Sequence, residues 1–335
     1  MGRIPQIDGL RAVAILMVFT THALHIPLLW MGVDLFFVLS GYLITGILLR
    51  LKDQRVAGGA YWKPFYFRRV RRILPPYLGF LIFLTIFFHP PWTRIWYWYA
   101  FFGANLALAL GKVEVAAMTP LWSLAVEEQF YFVWPWIVLL CSPKTLRRVC
   151  VAVIICSPIL RALCTPAFAT HFPIYSLTIF RADTLAAGAF VAVSERENTQ
   201  WVCQKQRLAV WTIPTMFALL GLLSVLPNFG TGANSVLFNS IGYSLSVGLF
   251  GSILTFVLGI RQGFFYNVLT MRLLRFLGVI SYTFYLYFVA VLLKVDVRVH
   301  STTLVVVSAF VITCLISAAS WFLLESRILN ARGVV

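Results

Sequence analysis

Acidic residues are scarce in this chain. Only 11 Asp and Glu stand among 335 residues, against 27 Lys and Arg, and charged residues of both signs make up 11%. A soluble globular domain carries about 25%, so an ordinary soluble domain is excluded. The six cysteines (Cys141, Cys150, Cys156, Cys164, Cys203 and Cys314) form no CxxC pair and no metal-ligand spacing. A disulfide scaffold and a cysteine metal site are therefore not implied. Internal repeats and low-complexity tracts are also missing, and 226–239 holds no charge at all.

What the chain has is apolar sequence, at 61% hydrophobic residues. Runs fall at 10–29, 31–50, 73–88, 95–111, 121–141, 149–166, 174–193, 208–226, 239–260, 276–293 and 302–324. Stretches of this kind are membrane spans, and helices are the default because each satisfies its own backbone hydrogen bonds. The short lead with Arg3 resembles a signal peptide, but no small-residue cleavage site follows. The first run is read as a retained span.

The net charge of +16 does not point to nucleic acid, because the basic residues collect between the apolar runs as the positive-inside rule expects. The densest stretch, 50–72, holds Arg50, Lys52, Arg55, Lys63, Arg68, Arg69, Arg71 and Arg72. Smaller clusters are Lys144/Arg147/Arg148, Arg196/Lys205/Arg207, Arg261/Arg272/Arg275 and Arg327/Arg332. Placing all of them on the cytoplasmic side leaves one crossing for two candidates, 95–111 and 121–141. The carboxylates Glu127 and Glu128 in the second mark part of 112–141 as a buried irregular or re-entrant element, since charge at depth must face protein or water. The expected fold is an all-α integral membrane protein of about ten transmembrane helices, with one re-entrant or broken segment and both termini cytoplasmic. Residues 1–335 read as a single domain.

Several polar residues sit where lipid tolerates them poorly. In GLRAVAILMVFTTHALHIPLLW (9–30), Arg11 and His22 share a helical face and lie about 16 Å apart along the axis. That places Arg11 near the cytoplasmic boundary and His22 around mid-membrane, where an ionisable group is functional by default. His25 follows His22 by three, but no third metal ligand is visible, so no metal is expected. GVDLFFVLSGYLITG (32–46) brings Asp34 to the level of His22 if the first two runs form a hairpin. Its Ser40–Gly41 pair allows close helix approach, and no local base makes Ser40 a nucleophile.

FYFRRVRRILPPY (65–77) is a topology signal whose arginines at i, i+3 and i+4 also suit phosphate. In LWSLAVEEQFYFVWP (121–135), Glu127 and Glu128 point about 100° apart. One is expected to face a site and the other to pair with an arginine. Arg181 and Asp183 in FRADTLAAGAF (180–190) read as charges capping a span. The hydroxyls of GVISYTFYLYFV (278–289), and Glu325, are assigned to packing and the interface.

Taken in order, IDGLRAVAILMVFTTHA, GVDLFFVLSGYLIT, FYFRRVRRILPPY, LWSLAVEEQFYFVWP, FRADTLAAGA and SYTFYLY resemble the acyltransferase-3 family of integral-membrane O-acyltransferases. The resemblance extends over nearly the whole chain and looks like the stand-alone form. It implies transfer of an acyl group, usually acetyl, from cytoplasmic acyl-CoA to a hydroxyl of a surface or exported glycan or lipid-linked sugar. The setting would be the bacterial inner membrane, with no metal and no nucleic acid. Arg11, Arg68, Arg69, Arg71 and Arg72 would bind the nucleotide phosphates. His22 would act as base, with Asp34 or Glu127 orienting its imidazole, and Tyr42, Ser123 and Glu128 would contact the acceptor. Direct transfer and an acyl-histidine intermediate both fit. Where the family often has a late histidine, this chain has Phe288. The reading from another class is a transporter or flippase of anionic lipid-linked sugars, against which the lack of an internal repeat counts.

Overall fold

A computed structural model of the chain describes residues 4–54, 59–198, 200–227, 229–230, 233–297 and 301–330. Of the basic residues marking the loops, Arg3, Arg55 and Arg332 lie outside the described residues. The chain runs through helices α1 (Pro5–Leu24), α2 (Gly32–Asp53), α3 (Gly59–Phe88), α4 (Trp92–Ala100), α5 (Ala104–Ala109), α6 (Leu121–Leu140) and α7 (Pro143–Cys164). It continues through α8 (Phe172–Ser176), α9 (Thr178–Glu197), α10 (Trp201–Leu223), α11 (Tyr243–Gly259), α12 (Phe264–Leu269), α13 (Arg272–Asp296), α14 (Thr302–Ser320) and α15 (Ser326–Asn330). Strands are missing among the described residues, and the protein is an all-α integral membrane protein.

Among the described residues, nine helices are long and apolar enough to cross a bilayer. The 20-residue α6 makes a tenth long helix, its hydropathy depressed by Glu127, Glu128 and Gln129. One expectation is corrected in part here. The irregular part does include 112–120, which holds only a short 3-10 turn at Ala116–Met118 with Ala117 and Met118 buried. The carboxylate-bearing 121–140 is instead one continuous helix, and the chain is also broken in the run 95–111, which forms α4 and α5 with a break at Phe101–Gly103. Phe102 adopts a left-handed backbone, φ 49°. Its carbonyl accepts from Gln129 Nε2 at 3.1 Å, and Asn105 and Gln129 exchange bonds of 2.9 and 3.1 Å. Gln129 of α6 thus satisfies the backbone of the broken segment, as a buried irregular chain requires.

The basic loops meet on one face. Lys52 Nζ donates to the carbonyls of Val138 and Cys141 at 2.7 and 2.6 Å. Arg147 pairs with Glu197 at 2.6 Å, Arg196 with Asp53, and Gln6 donates to the Ile260 carbonyl. Small residues set the closest helix crossings. A Cβ on Gly41 of α2 would strike the Leu185 carbonyl of α9, and one on Gly188 of α9 would strike the Val38 carbonyl of α2. Glycine permits this backbone contact, which association without a hydrophobic drive relies on.

Candidate active site

The interior of the bundle holds a cavity walled by α1, α2, α3, α6 and α13. Arg11, Arg69 and Arg72 line it together with Glu127, Tyr131, Ser40, Ser123 and Tyr285. A second cavity opens toward the basic face, between Asp8, Tyr42, Arg50 and Glu325. Arg11, Leu43, Arg72 and Tyr282 line both, so the two meet at the arginines.

Three guanidinium groups thus share the interior cavity with one carboxylate. Among the described residues, no acid lies within ion-pair distance of Arg11, Arg69 or Arg72. Arg11 Nε is buried and has no hydrogen-bond partner among the described residues. Uncompensated buried cations are costly, and a bound anion offsets that cost. The donor set fits phosphate, which arginine forks grip bidentately.

Of the five expected phosphate-binding arginines, three line the cavity and two do not. Arg68 points away and is exposed. Arg71 donates to the Ile328 carbonyl and so holds α15 against α3. At 100° per residue, no stretch of four arginines can turn every side chain to one cavity.

Glu127 and Glu128 diverge as their adjacency requires. Glu127 faces the interior cavity, where Tyr131 Oη donates to it at 3.0 Å. Tyr131 follows one turn later on the same face and also lies 2.5 Å from Ser40 Oγ. The Arg69 guanidinium sits 4.7 Å from the centre of the Tyr131 ring. Glu128 instead lines a groove with Arg69, Ile73, Tyr131 and the exposed Phe101 and Phe132. It forms no ion pair among the described residues, and its Oε1 has no hydrogen-bond partner. Pro135 removes the N–H that would bond the Tyr131 carbonyl, and Tyr66 Oη donates there at 3.4 Å.

His22 lies two residues before the end of α1, where its side chain is exposed. The chain leaves the helix at His25, φ 53°. His22 Nδ1 is 2.8 Å from the Val18 carbonyl. A carbonyl only accepts, so Nδ1 carries the proton and Nε2 keeps its lone pair. The ring stands edge-on to Phe288 at 5.0 Å between centroids, and Phe288 packs on Tyr285 at 5.7 Å. One ring layer separates His22 from the cavity.

Asp34 does not accompany His22. It is fully buried, paired with Arg181, and accepts from Ser246 Oγ at 2.7 Å. Arg181 and Asp183 are likewise buried rather than capping, because Arg161 of α7 bonds Asp183 at 2.8 Å and the Phe180 carbonyl at 2.6 Å. Tyr243 lies under both arginines. This network ties α2, α7, α9 and α11 together away from the cavity. Sequence reading overlooked Arg161, which sits in an otherwise ordinary apolar run.

Tyr42 lines the second cavity and donates to Glu195 at 2.8 Å. Ser123 lies in the interior cavity, 2.6 Å from Tyr285 Oη. Ser281, Tyr282 and Tyr285, assigned to packing from sequence, also line that cavity. Their alternation with apolar neighbours at helical spacing is the signal that was available. Glu325 is buried and accepts from Thr283 and Ser320 at 2.7 and 2.9 Å.

Comparison with known proteins gives a consistent result. The sequence profile of an acyltransferase domain family matches residues 4–322. The peptidoglycan O-acetyltransferase OatA of Listeria monocytogenes serovar 1/2a is 28% identical over 312 residues, covering 85% of this chain and 48% of the relative. The putative peptidoglycan O-acetyltransferase YrhL of Bacillus subtilis strain 168 is 28% identical over 362 residues, covering 97% and 55%. A putative O-acetyltransferase of Staphylococcus aureus strain COL is 35% identical over 161 residues, covering 40% and 24%. The chain spans about half the length of the first two relatives. No solved structure matches it.

Proposed function

The chain belongs to the acyltransferase domain family, and from that premise we propose that it transfers an acyl group, acetyl in the first instance, from acyl-CoA to a glycan hydroxyl. The observation that carries this reading is the interior cavity, where Arg11, Arg69 and Arg72 surround a single carboxylate, Glu127. The basic face is the cytoplasmic face of a bacterial cytoplasmic membrane, as the positive-inside rule requires. The donor's phosphates lie at Arg11 and Arg72, where the two cavities meet. The pantetheine arm then points along α1, and the thioester enters the interior cavity without the nucleotide crossing.

Glu127 is the proton acceptor nearest the reacting carbon, because it lines the cavity and His22 does not. His22 serves the acceptor at the far end of α1, where its open Nε2 accepts a hydrogen bond from a glycan hydroxyl. Ser123, at the same end of the cavity, and Glu128, in the adjoining groove, are the other acceptor contacts. The acceptor class follows the peptidoglycan named for the relatives, or a lipid-linked precursor of a similar exported glycan.

The test uses purified protein in nanodiscs with acetyl-CoA and a soluble peptidoglycan fragment. Thiol release matched by acetyl ester on the fragment is expected, with Arg72→Ala raising the donor KM. Neither thiol release nor ester formation with any short acyl-CoA, from protein that binds the glycan, would overturn the reading.

A further inference from the structure

Three serines line the interior cavity: Ser40, Ser123 and Ser281. Their hydrogen bonds separate them. Ser281 donates to the Gly278 carbonyl of its own helix at 2.8 Å. Ser123 lies 3.2 Å from the Pro120 carbonyl and 2.6 Å from Tyr285 Oη, which itself donates to that carbonyl. Ser40 alone connects to a carboxylate, through Tyr131.

The direction of that chain follows from donor counting. When Glu127 is the ionised base, Tyr131 gives its one hydroxyl proton to it, since an ionised carboxylate only accepts. The 2.5 Å contact between Ser40 Oγ and Tyr131 Oη must then have Ser40 as donor. Every proton in the chain points from Ser40 toward Glu127. The Arg69 guanidinium over the Tyr131 ring favours negative charge as it develops on the phenol oxygen. A hydroxyl nucleophile with a base in line and a cation at the base is the arrangement that activates serine for acyl transfer. Tyr131, the link to that base, lies 91 positions away in sequence, on another helix.

We infer that Ser40 is a covalent acyl carrier, and that the reaction proceeds through an acyl-Ser40 ester. This rests on the acyltransferase reading and adds to it. In the first half, Ser40 Oγ attacks the thioester carbon, the Oγ–C bond forms and the C–S bond breaks. The serine proton passes to Tyr131, the tyrosine proton to Glu127, and the proton on Glu127 to the departing thiolate, giving free CoA thiol. In the second half, the acceptor oxygen attacks the ester carbon and the C–Oγ bond breaks. The acceptor's proton reaches Ser40 Oγ by the same chain in reverse. The donor has left before the acceptor enters, so one narrow cavity serves both.

The experiment is a single turnover of the full-length protein with isotopically labelled acetyl-CoA and no acceptor, quenched in acid and mapped by peptide mass. One acetyl group on the peptide carrying Ser40 is expected, with an equal burst of thiol. Ser40→Ala should give no burst and no label. Ser40→Cys should take the label as a thioester that neutral hydroxylamine removes. Tyr131→Phe and Glu127→Gln should slow the burst by about 100-fold or more with donor affinity retained.

Label on another residue, no label on wild-type protein that turns over with acceptor, or wild-type transfer by Ser40→Ala would each overturn the proposal. Failure of the wild type to release thiol even with acceptor present would instead overturn the acyltransferase reading itself. Melting temperature and donor binding of Ser40→Ala distinguish a lost nucleophile from a lost fold, and recovery of label in Ser40→Cys does so independently.

Discussion

Phe288 presses edge-on against His22, with ring centroids 5.0 Å apart, while Val18 fixes the other side of the imidazole through Nδ1 at 2.8 Å. The histidine is held by a ring and a carbonyl, and among the described residues no carboxylate bonds it. Its orientation therefore depends on packing. Phe288→Leu keeps the apolar volume and removes the ring contact, which is worth about 0.5–1.5 kcal/mol. Acetyl transfer to the glycan is expected to fall between about twofold and tenfold, while thiol release without acceptor stays at the wild-type rate. A parallel loss of both activities would show that Phe288 acts on the donor cavity instead.

Arg11, Arg69 and Arg72 face the cavity and Arg68 does not, so the four should separate in donor binding. A hydrogen bond to a charged group is worth about 1.5–3 kcal/mol, so Arg11→Ala or Arg72→Ala should raise the donor KM roughly 10- to 100-fold. Arg68→Ala should stay within about twofold, as an exposed charge does. Initial-rate kinetics with varied acetyl-CoA decide this. Equal effects of all four would point to diffuse attraction at the basic face and not to a site.

Asp34 and Arg181 are both buried and paired, which assigns Asp34 to structure. Removing one partner of such a pair leaves the other charge uncompensated and costs about 3–5 kcal/mol. Asp34→Asn and Arg181→Gln should each lower the melting temperature in detergent sharply, and the double variant should recover part of the loss. An Asp34→Asn protein with wild-type thermal stability and no activity would return Asp34 to the chemistry.

These residues also show what a sequence can and cannot disclose here. Arg11, Glu127 and the 69/72 arginines were conspicuous because lipid penalises charge, and that penalty is local to each residue. The 11-residue spacing of Arg11 and His22 held because α1 is unbroken. That His22 stands so near the end of α1 was not legible, because helix ends depend on the following turn, here the left-handed His25. Asp34 was misplaced for a different reason. Which of two helix faces meets the cavity is decided by the partner helix, and Asp34's partner Arg181 lies 147 positions away. Ser40 was set aside for lack of a local base, and its base came from α6. The irregular segment was expected in part of 112–141 and does occupy 112–120. The additional break in 95–111 was missed because charge was weighed and Gln129's capacity to satisfy a neighbouring backbone was not.

The crossing of α2 and α9 carries the last prediction, because it joins packing to chemistry. Gly41 lies against the Leu185 backbone, and the next residue back is Ser40, whose contact with Tyr131 is on the α6 side. A methyl at position 41 cannot be absorbed by a flexible side chain, since the obstacle is a backbone carbonyl. Either α2 moves off α9 or the crossing opens. Overpacking of this kind costs about 1–3 kcal/mol. A shift of even a few tenths of an ångström changes a 2.5 Å hydrogen bond more than it changes an apolar contact, because directional bonds weaken steeply with geometry. Gly41→Ala should therefore lose transfer out of proportion to stability. Gly251→Ala is the control, because a Cβ there meets nothing within 4 Å and alanine gains about 0.5–1 kcal/mol over glycine inside a helix. Melting curves and thiol-burst rates of the two variants are the measurement. A Gly41→Ala protein that melts early but turns over normally below its melting point would mean that Ser40 tolerates displacement. The hydrogen-bonded chain to Glu127 would then not be what sets the rate.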